Sequence, residues 1–117
     1  MAADDYCYLT TKGRRTGRDH EIEMWYVEHG STVYLLAGAR TADWVQNLRV
    51  DPRARVRLGP ETHTAVGRVL DGPHDGDEAR RARDLVFAKY QPRYEGSLDD
   101  WRERSMPVAL DLTDTGG

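Results

Sequence analysis

Between Lys12 and Arg18 the chain sets four cations, Lys12, Arg14, Arg15 and Arg18, within seven residues, interrupted by Gly13, Thr16 and Gly17. A loop of that composition has the chemistry of an anion receptor. Guanidinium forks and a hydroxyl suit phosphate or carboxylate oxygens, and two glycines let backbone N–H groups turn toward one point. The spacing is neither GxxxxGK[ST] nor GxGxxG, so neither nucleotide signature applies. Charge runs are usually solvated faces, and on composition alone a solvated turn is the better reading of this one.

A second candidate is Asp43-Trp44-Val45-Gln46-Asn47-Leu48, entered through Gly38-Ala39-Arg40. Trp44 and Asn47 are three apart and share a helix face, where an indole and an amide can lie beside a flat heterocycle and hydrogen-bond to it. The competing reading, a core plug and a helix-terminal cap, is favoured by composition alone. His20, His29, His63 and His74 form no HExxH or HxH, which leaves a metal site little support. Ser31, Ser97 and Ser105 lie in no G-x-S-x-G elbow, and the lone Cys7 falls inside an expected strand as a buried, inert thiol. Glu21 and Glu23 alternate onto one strand face, which reads as exposed surface and not as an acid/base pair.

The elements that must position these residues follow from periodicity. Strands are expected at Tyr6–Thr11, Glu21–Val27, Val33–Leu36, Ala54–Leu58, Thr62–Leu70 and Met106–Leu112, with the first three as antiparallel neighbours. A short helix with Thr41 as N-cap carries Ala42, Val45 and Leu48. A longer one capped by Asp77 carries Ala82, Leu85, Val86 and Tyr90, and a third short helix leads through Trp101. Six strands and inserted helices in 117 residues give a mainly β, α+β fold: one small antiparallel barrel spanning 1–117, closed so that sheet edges disappear. There is no repeat, linker or low-complexity tract.

Composition limits the function classes. With 17 Lys+Arg against 20 Asp+Glu the net charge is −3, which argues against a nucleic-acid partner, since phosphate-tracking proteins carry a wide basic face. No apolar run approaches the roughly 18 residues of a membrane span, and no signal peptide is evident, so a cytoplasmic location is expected.

Taken in order, Tyr8-Leu9-Thr10-Thr11-Lys12-Gly13-Arg14-Arg15-Thr16-Gly17, Tyr34-Leu35-Leu36-Ala37-Gly38, Asp43-Trp44-Val45-Gln46-Asn47-Leu48 and Met106-Pro107-Val108 resemble the deazaflavin-dependent nitroreductase family. The loop and the W-x-x-N-L helix are specific as a pair. The resemblance implies a split β-barrel related to FMN-binding folds. It further implies a reduced 8-hydroxy-5-deazaflavin, coenzyme F-420, as hydride donor to a quinone, nitro compound or conjugated carbonyl. By position, Arg14, Arg15, Thr16 and Gly17 would hold phosphate and acidic tail, with Lys12 adding charge. Ile22 to Met24 would lie along the ring, and Ala37, Gly38, Ala39, Arg40, Trp44 and Asn47 would close its other side. Tyr90 and Tyr94 match tyrosines near the substrate side in relatives, as pocket walls or proton donors. Lys12 stands where many relatives have threonine. The small-molecule acceptor and the choice between monomer and homodimer stay open. Rival readings are an FMN-binding oxidoreductase on the same barrel, an oligonucleotide-binding small barrel, and a cofactor-free binding protein.

Overall fold

A computed structural model describes residues 5–113. Strands β1 (Cys7–Lys12), β2 (Asp19–Met24), β3 (Val27–His29) and β4 (Thr32–Ala37) are followed by helix α1 (Asp43–Val50), then β5 (Arg53–Leu58) and β6 (Glu61–Val69). Helix α2 (Gly76–Tyr90), a 3-10 turn over Gln91–Arg93, helix α3 (Asp99–Arg104) and β7 (Met106–Leu112) complete the chain. All strand pairs are antiparallel, in the order β2-β1-β5-β6-β7-β4-β3.

Seven strands replace the six expected, because the stretch from Glu21 to Val27 is two strands. Its first part pairs with β1 and its last with β4, at opposite ends of the sheet, so β2 and β4 are not neighbours. The break falls at Trp25-Tyr26. There the Tyr26 N–H donates to the Tyr90 hydroxyl at 2.9 Å, and the Tyr26 carbonyl accepts from Lys89 Nζ at 2.8 Å. Helix α2 thus takes both backbone groups of Tyr26 out of the ladder. Two residues join the two sheet edges, so the sheet must curl into a half-barrel, and β2 and β3 remain its edges.

Alternation along β4 accounts for its burial on both faces. Val33, Leu35 and Ala37 point into the barrel with Cys7, Leu9, Val56, Val108 and Leu110, while Tyr34 and Leu36 face outward against Ala79, Ala82, Val86 and Tyr90 of α2. Burial pushes the Cys7 thiol up to about 12, as an inert core thiol requires. Helix α1 packs against β1 and β6, with Val45 and Leu48 in the barrel core. Its N-cap is Ala42 and not Thr41, and that of α2 is Asp75 and not Asp77; neither helix has a side-chain cap.

Arg68 on β6 clasps the outer layer. It donates to both Glu78 oxygens at 2.8 Å and to Asp111 at 2.6 and 3.1 Å, while the Tyr34 hydroxyl donates to Glu78 at 2.8 Å. The Arg68 guanidinium holds the Glu78 carboxyl down to about 2 and lowers that of Asp111. Because these folded values lie below the ordinary carboxylate range near 4, the clasp stabilises fully at neutral pH. That stability is lost as pH falls from about 4 toward 2. Arg68 and Asp111 are 41% exposed, so solvent discounts the effect. Arg68→Met should lower unfolding stability by about 1–2 kcal/mol at pH 7 and by much less at pH 2.5, measured by urea denaturation at each pH. An equal loss at both pH values counts against the clasp.

Candidate functional site

The loop after β1 is a tight turn whose glycines are fixed by geometry. Gly17 sits at φ +73°, a left-handed conformation, and a Cβ on Gly13 would lie 2.7 Å from the His20 ring. Gly13 N–H donates to the Arg18 carbonyl at 2.7 Å, Gly17 N–H to the Gly13 carbonyl at 2.8 Å, and Arg18 N–H to Thr16 Oγ1 at 3.2 Å. Arg14 N–H donates to Asn47 Oδ1 at 3.2 Å. Among the described residues this leaves the N–H groups of Arg15 and Thr16 without a partner, so the nest is narrower than the glycine spacing suggests.

Arg14 itself is an anchor. Its guanidinium donates to Asn47 Oδ1 at 2.9 Å, and reaches the Asp43 carboxylate at 3.2 Å and the Asp43 carbonyl at 3.4 Å. Asn47 is buried, and its Nδ2 donates to Thr11 Oγ1 at 3.2 Å. One amide therefore fastens helix α1 to both the end of β1 and the loop. Lys12, Arg15 and Arg18 are exposed and make no ion pair within 4.0 Å with another described residue.

Arg14, Arg15, Thr16, Ile22, Trp44 and Asn47 come together around one cleft of about 360 Å³, with Thr11, Gly13, His20 and Asp43. Its walls are apolar where Ile22 faces inward from β2 and Trp44 from α1, and cationic at the loop. Trp44 is half-buried, packing on the barrel core while it lines the cleft. The sequence reading missed His20, although alternation through Ile22 and Met24 assigns it to the same face. Thr11, missed as well, carries no local signal, because its role depends on Asn47.

Other expected site residues lie elsewhere. Lys12 borders a separate cavity of about 370 Å³ with Asp19, Asp51 and Arg55. Ala37 is buried in the core, whereas Gly38 and Ala39 are exposed. Arg40 faces Asp71 at 3.8 Å beside α2, and its carbonyl accepts from Gln46 Nε2 of α1 at 2.7 Å. Met24 lines a second pocket.

That pocket, about 510 Å³, is bounded by Glu23, Met24, Trp25, Leu36, Tyr94, Ser97, Leu98, Asp100 and Trp101. Tyr90 stacks on Trp25 with centroids 4.3 Å apart and an interplanar angle of 3°. Tyr94 and Trp101 meet Trp25 edge-on at 6.1 and 5.4 Å, at 79° and 86°. Tyr94 is 49% exposed, but Tyr90 is only 2% exposed. The Tyr90 hydroxyl accepts the Tyr26 N–H and donates to the Asp5 carbonyl at 2.6 Å, with the Tyr26 carbonyl at 3.0 Å as alternative acceptor. Burial raises its pKa. The structure thus removes Tyr90 from the candidate substrate contacts and makes it a brace behind Trp25.

Ile22 borders the first cleft and Met24 the second pocket. Two positions apart on β2, they lie roughly 7 Å from each other along the strand. A basic cleft and an aromatic pocket therefore adjoin on one strand edge. No group of three or more potential metal ligands occurs among the described residues.

The sequence matches the F420H(2)-dependent quinone reductase family over residues 1–113. Among solved structures, an F420-H2 dependent reductase designated FDR-A superposes with a TM-score of 0.70 at 17% identity, covering 97% of each chain. The conserved hypothetical protein Rv2991 from Mycobacterium tuberculosis gives 0.74 at 19% identity, over 95% of this chain and 74% of the other. HutZ, the heme storage protein from Vibrio cholerae, gives 0.70 at 14% identity, over 94% and 82%. At such identities the structural likeness speaks for the fold alone, and a fold hosts many ligands.

Proposed function

The chain belongs to the F420H(2)-dependent quinone reductase family and so is a deazaflavin-dependent reductase, and we propose that its coenzyme lies in the first cleft and its acceptor in the second pocket. The observation that carries this reading is the adjacency of the two along β2, one cationic at its rim and the other aromatic. Coenzyme F-420 fits the residues present. Arg15 and Thr16 offer unpartnered N–H groups and Arg15 an unpaired charge for the phosphate, and Arg18 stands on the same loop for an acidic tail. Ile22 and Trp44 supply apolar walls for a flat ring.

When bound, the reduced coenzyme supplies a hydride from C5 of the deazaflavin. The protein's part is then to bind, orient and exclude water, and no side chain needs to act as a nucleophile. Asn47 and Arg14 hold the loop against α1. Tyr90 and Lys89 fix the backbone at Tyr26, which holds Trp25 and the end of β2 in place. Tyr94, partly exposed over the second pocket, borders the space assigned to a small-molecule acceptor. This reading treats the chain as one cofactor-binding domain acting in the cytoplasm; no helix among the described residues is long and apolar enough to cross a membrane.

FMN is the alternative ligand, since it too joins a phosphate to a flat tricycle. The loop carries more charge than one phosphate requires, which favours the ligand with a phosphodiester and a carboxylate tail. Parallel fluorescence titrations should give at least about tenfold tighter binding for oxidised coenzyme F-420, and a steeper loss of its affinity with salt. Tighter binding of FMN, with turnover, would transfer the site to that cofactor.

A further inference from the structure

We infer that the second pocket selects its ligand by charge, admitting flat aromatic molecules that are neutral or cationic and rejecting anions; this rests on the acceptor reading above. The pocket is lined by two carboxylate residues, Glu23 and Asp100, and by no lysine or arginine. Both carboxylate residues are exposed. Glu23 accepts a hydrogen bond from the Tyr8 hydroxyl at 2.7 Å and makes no ion pair within 4.0 Å with another described residue; the cation on that row of the sheet, Arg57, stacks on the Tyr8 ring at 4.1 Å.

The aromatic walls reinforce that sign. Trp25 and Trp101 meet at 86° and Trp25 and Tyr94 at 79°, so the three rings form a corner and do not stack over one another. Tyr90 covers one face of Trp25 in parallel contact, which closes that face to a ligand. Aromatic faces carry negative potential and attract a cation placed over them, and cages of perpendicular rings with nearby carboxylates are how proteins hold organic ammonium groups. Met24, Leu36 and Leu98 supply the apolar lining for the rest of the ligand.

Set beside the first cleft, the pocket gives β2 an electrostatic polarity. Cations stand on the loop before its first residue, and carboxylates and π-faces border its last. A polyanionic coenzyme is thereby steered to one end and repelled from the other, so the two ligands cannot exchange places.

The test needs no coenzyme. Trimethylphenylammonium, acetophenone and benzenesulfonate, of similar size and differing in charge, are titrated by calorimetry into the full-length protein at low salt. The expected order is cation, then neutral, then anion, with the cation bound about tenfold or more tightly than the anion. In the Glu23→Gln, Asp100→Asn double variant the cation-to-anion ratio should fall by about fivefold or more, while Trp101→Leu should weaken all three ligands and keep a preference for the cation. Asp100→Asn alone, at an exposed position, provides a partial drop should the double variant fold poorly. Equal affinity for cation and anion in the parent protein, or a ratio unchanged in the folded variant, overturns the inference. The coenzyme titration of the parent protein runs separately, so a failure here leaves the first-cleft reading standing, and a failure there is seen independently.

Discussion

Replacing Asn47 by Ala should cost about 2–3 kcal/mol of unfolding stability and weaken coenzyme binding at least tenfold, although its amide need never touch the ligand. Asn47 is 4% exposed and both polar atoms of its side chain are hydrogen-bonded. Its oxygen takes the Arg14 N–H and guanidinium, and its nitrogen donates to Thr11, itself 1% exposed. Truncation strands buried polar groups on two other elements, and leaving such a group unsatisfied costs about 1–3 kcal/mol. The loop that carries Arg15 would lose its tether to α1 at the same time, and a binding site that must be ordered by the ligand binds it less tightly. Asn47→Asp keeps the acceptor for Arg14 and turns the Thr11 hydroxyl into the donor, so it should recover most of the stability but not the affinity, because it sets a negative charge in the cleft that receives an anion. Denaturant melts and fluorescence titration on the three proteins check this. A melt for Asn47→Ala within about 0.5 kcal/mol of the parent would remove Asn47 from the role given to it.

The second large effect separates two adjacent arginines. Arg15→Ala should reduce coenzyme affinity by about 1.5–3 kcal/mol, roughly ten- to 150-fold, with unfolding stability unchanged. Arg15 is exposed and in no ion pair with a described residue, so its removal strands nothing, whereas a bound phosphate would lose a charge-assisted hydrogen bond. Arg14→Ala should do the reverse in first instance. Its guanidinium is 22% exposed and bridges to α1, so stability falls by about 1–2 kcal/mol, and affinity falls only as far as the loop loosens. The affinity lost in Arg15→Ala should also shrink as salt rises, because an exposed charge contact is screened. Equal affinities for Arg15→Ala and the parent at low salt would take the phosphate away from this loop.

Much of the fold was legible because its signals are local. The β5–β6 hairpin is written in alternation on both sides of Gly59-Pro60, with Gly59 at φ +59°. The 15-residue α2 is written in the burial of Ala82, Val86 and Tyr90 at helical spacing. Glu21 and Glu23 are exposed, as alternation required. The division of Glu21–Val27 was not legible, because Trp25 and Tyr26 favour strands and no glycine or proline marks the break. The cause lies 63 and 64 residues away, in the Lys89 ammonium and the Tyr90 hydroxyl bound to the Tyr26 backbone.

The candidate site divides along the same line. Residue order alone determined that a cationic, glycine-bearing turn follows β1, that Trp44 and Asn47 share a face of α1, and that Ile22 and Met24 share a face of β2. Those facts follow from helical and strand periods, which act over a few residues. Which arginine is an anchor and which is free, that Tyr90 braces Trp25 from the core while Tyr94 stands at the pocket, and that carboxylates gather at the far end of β2 from the cations were decided only by tertiary structure. Each depends on partners that the chain meets after tens of residues. A side chain's role is set by what else competes for its hydrogen bonds and its solvent, and that competition exists only once the sheet has curled and the helices have packed on it.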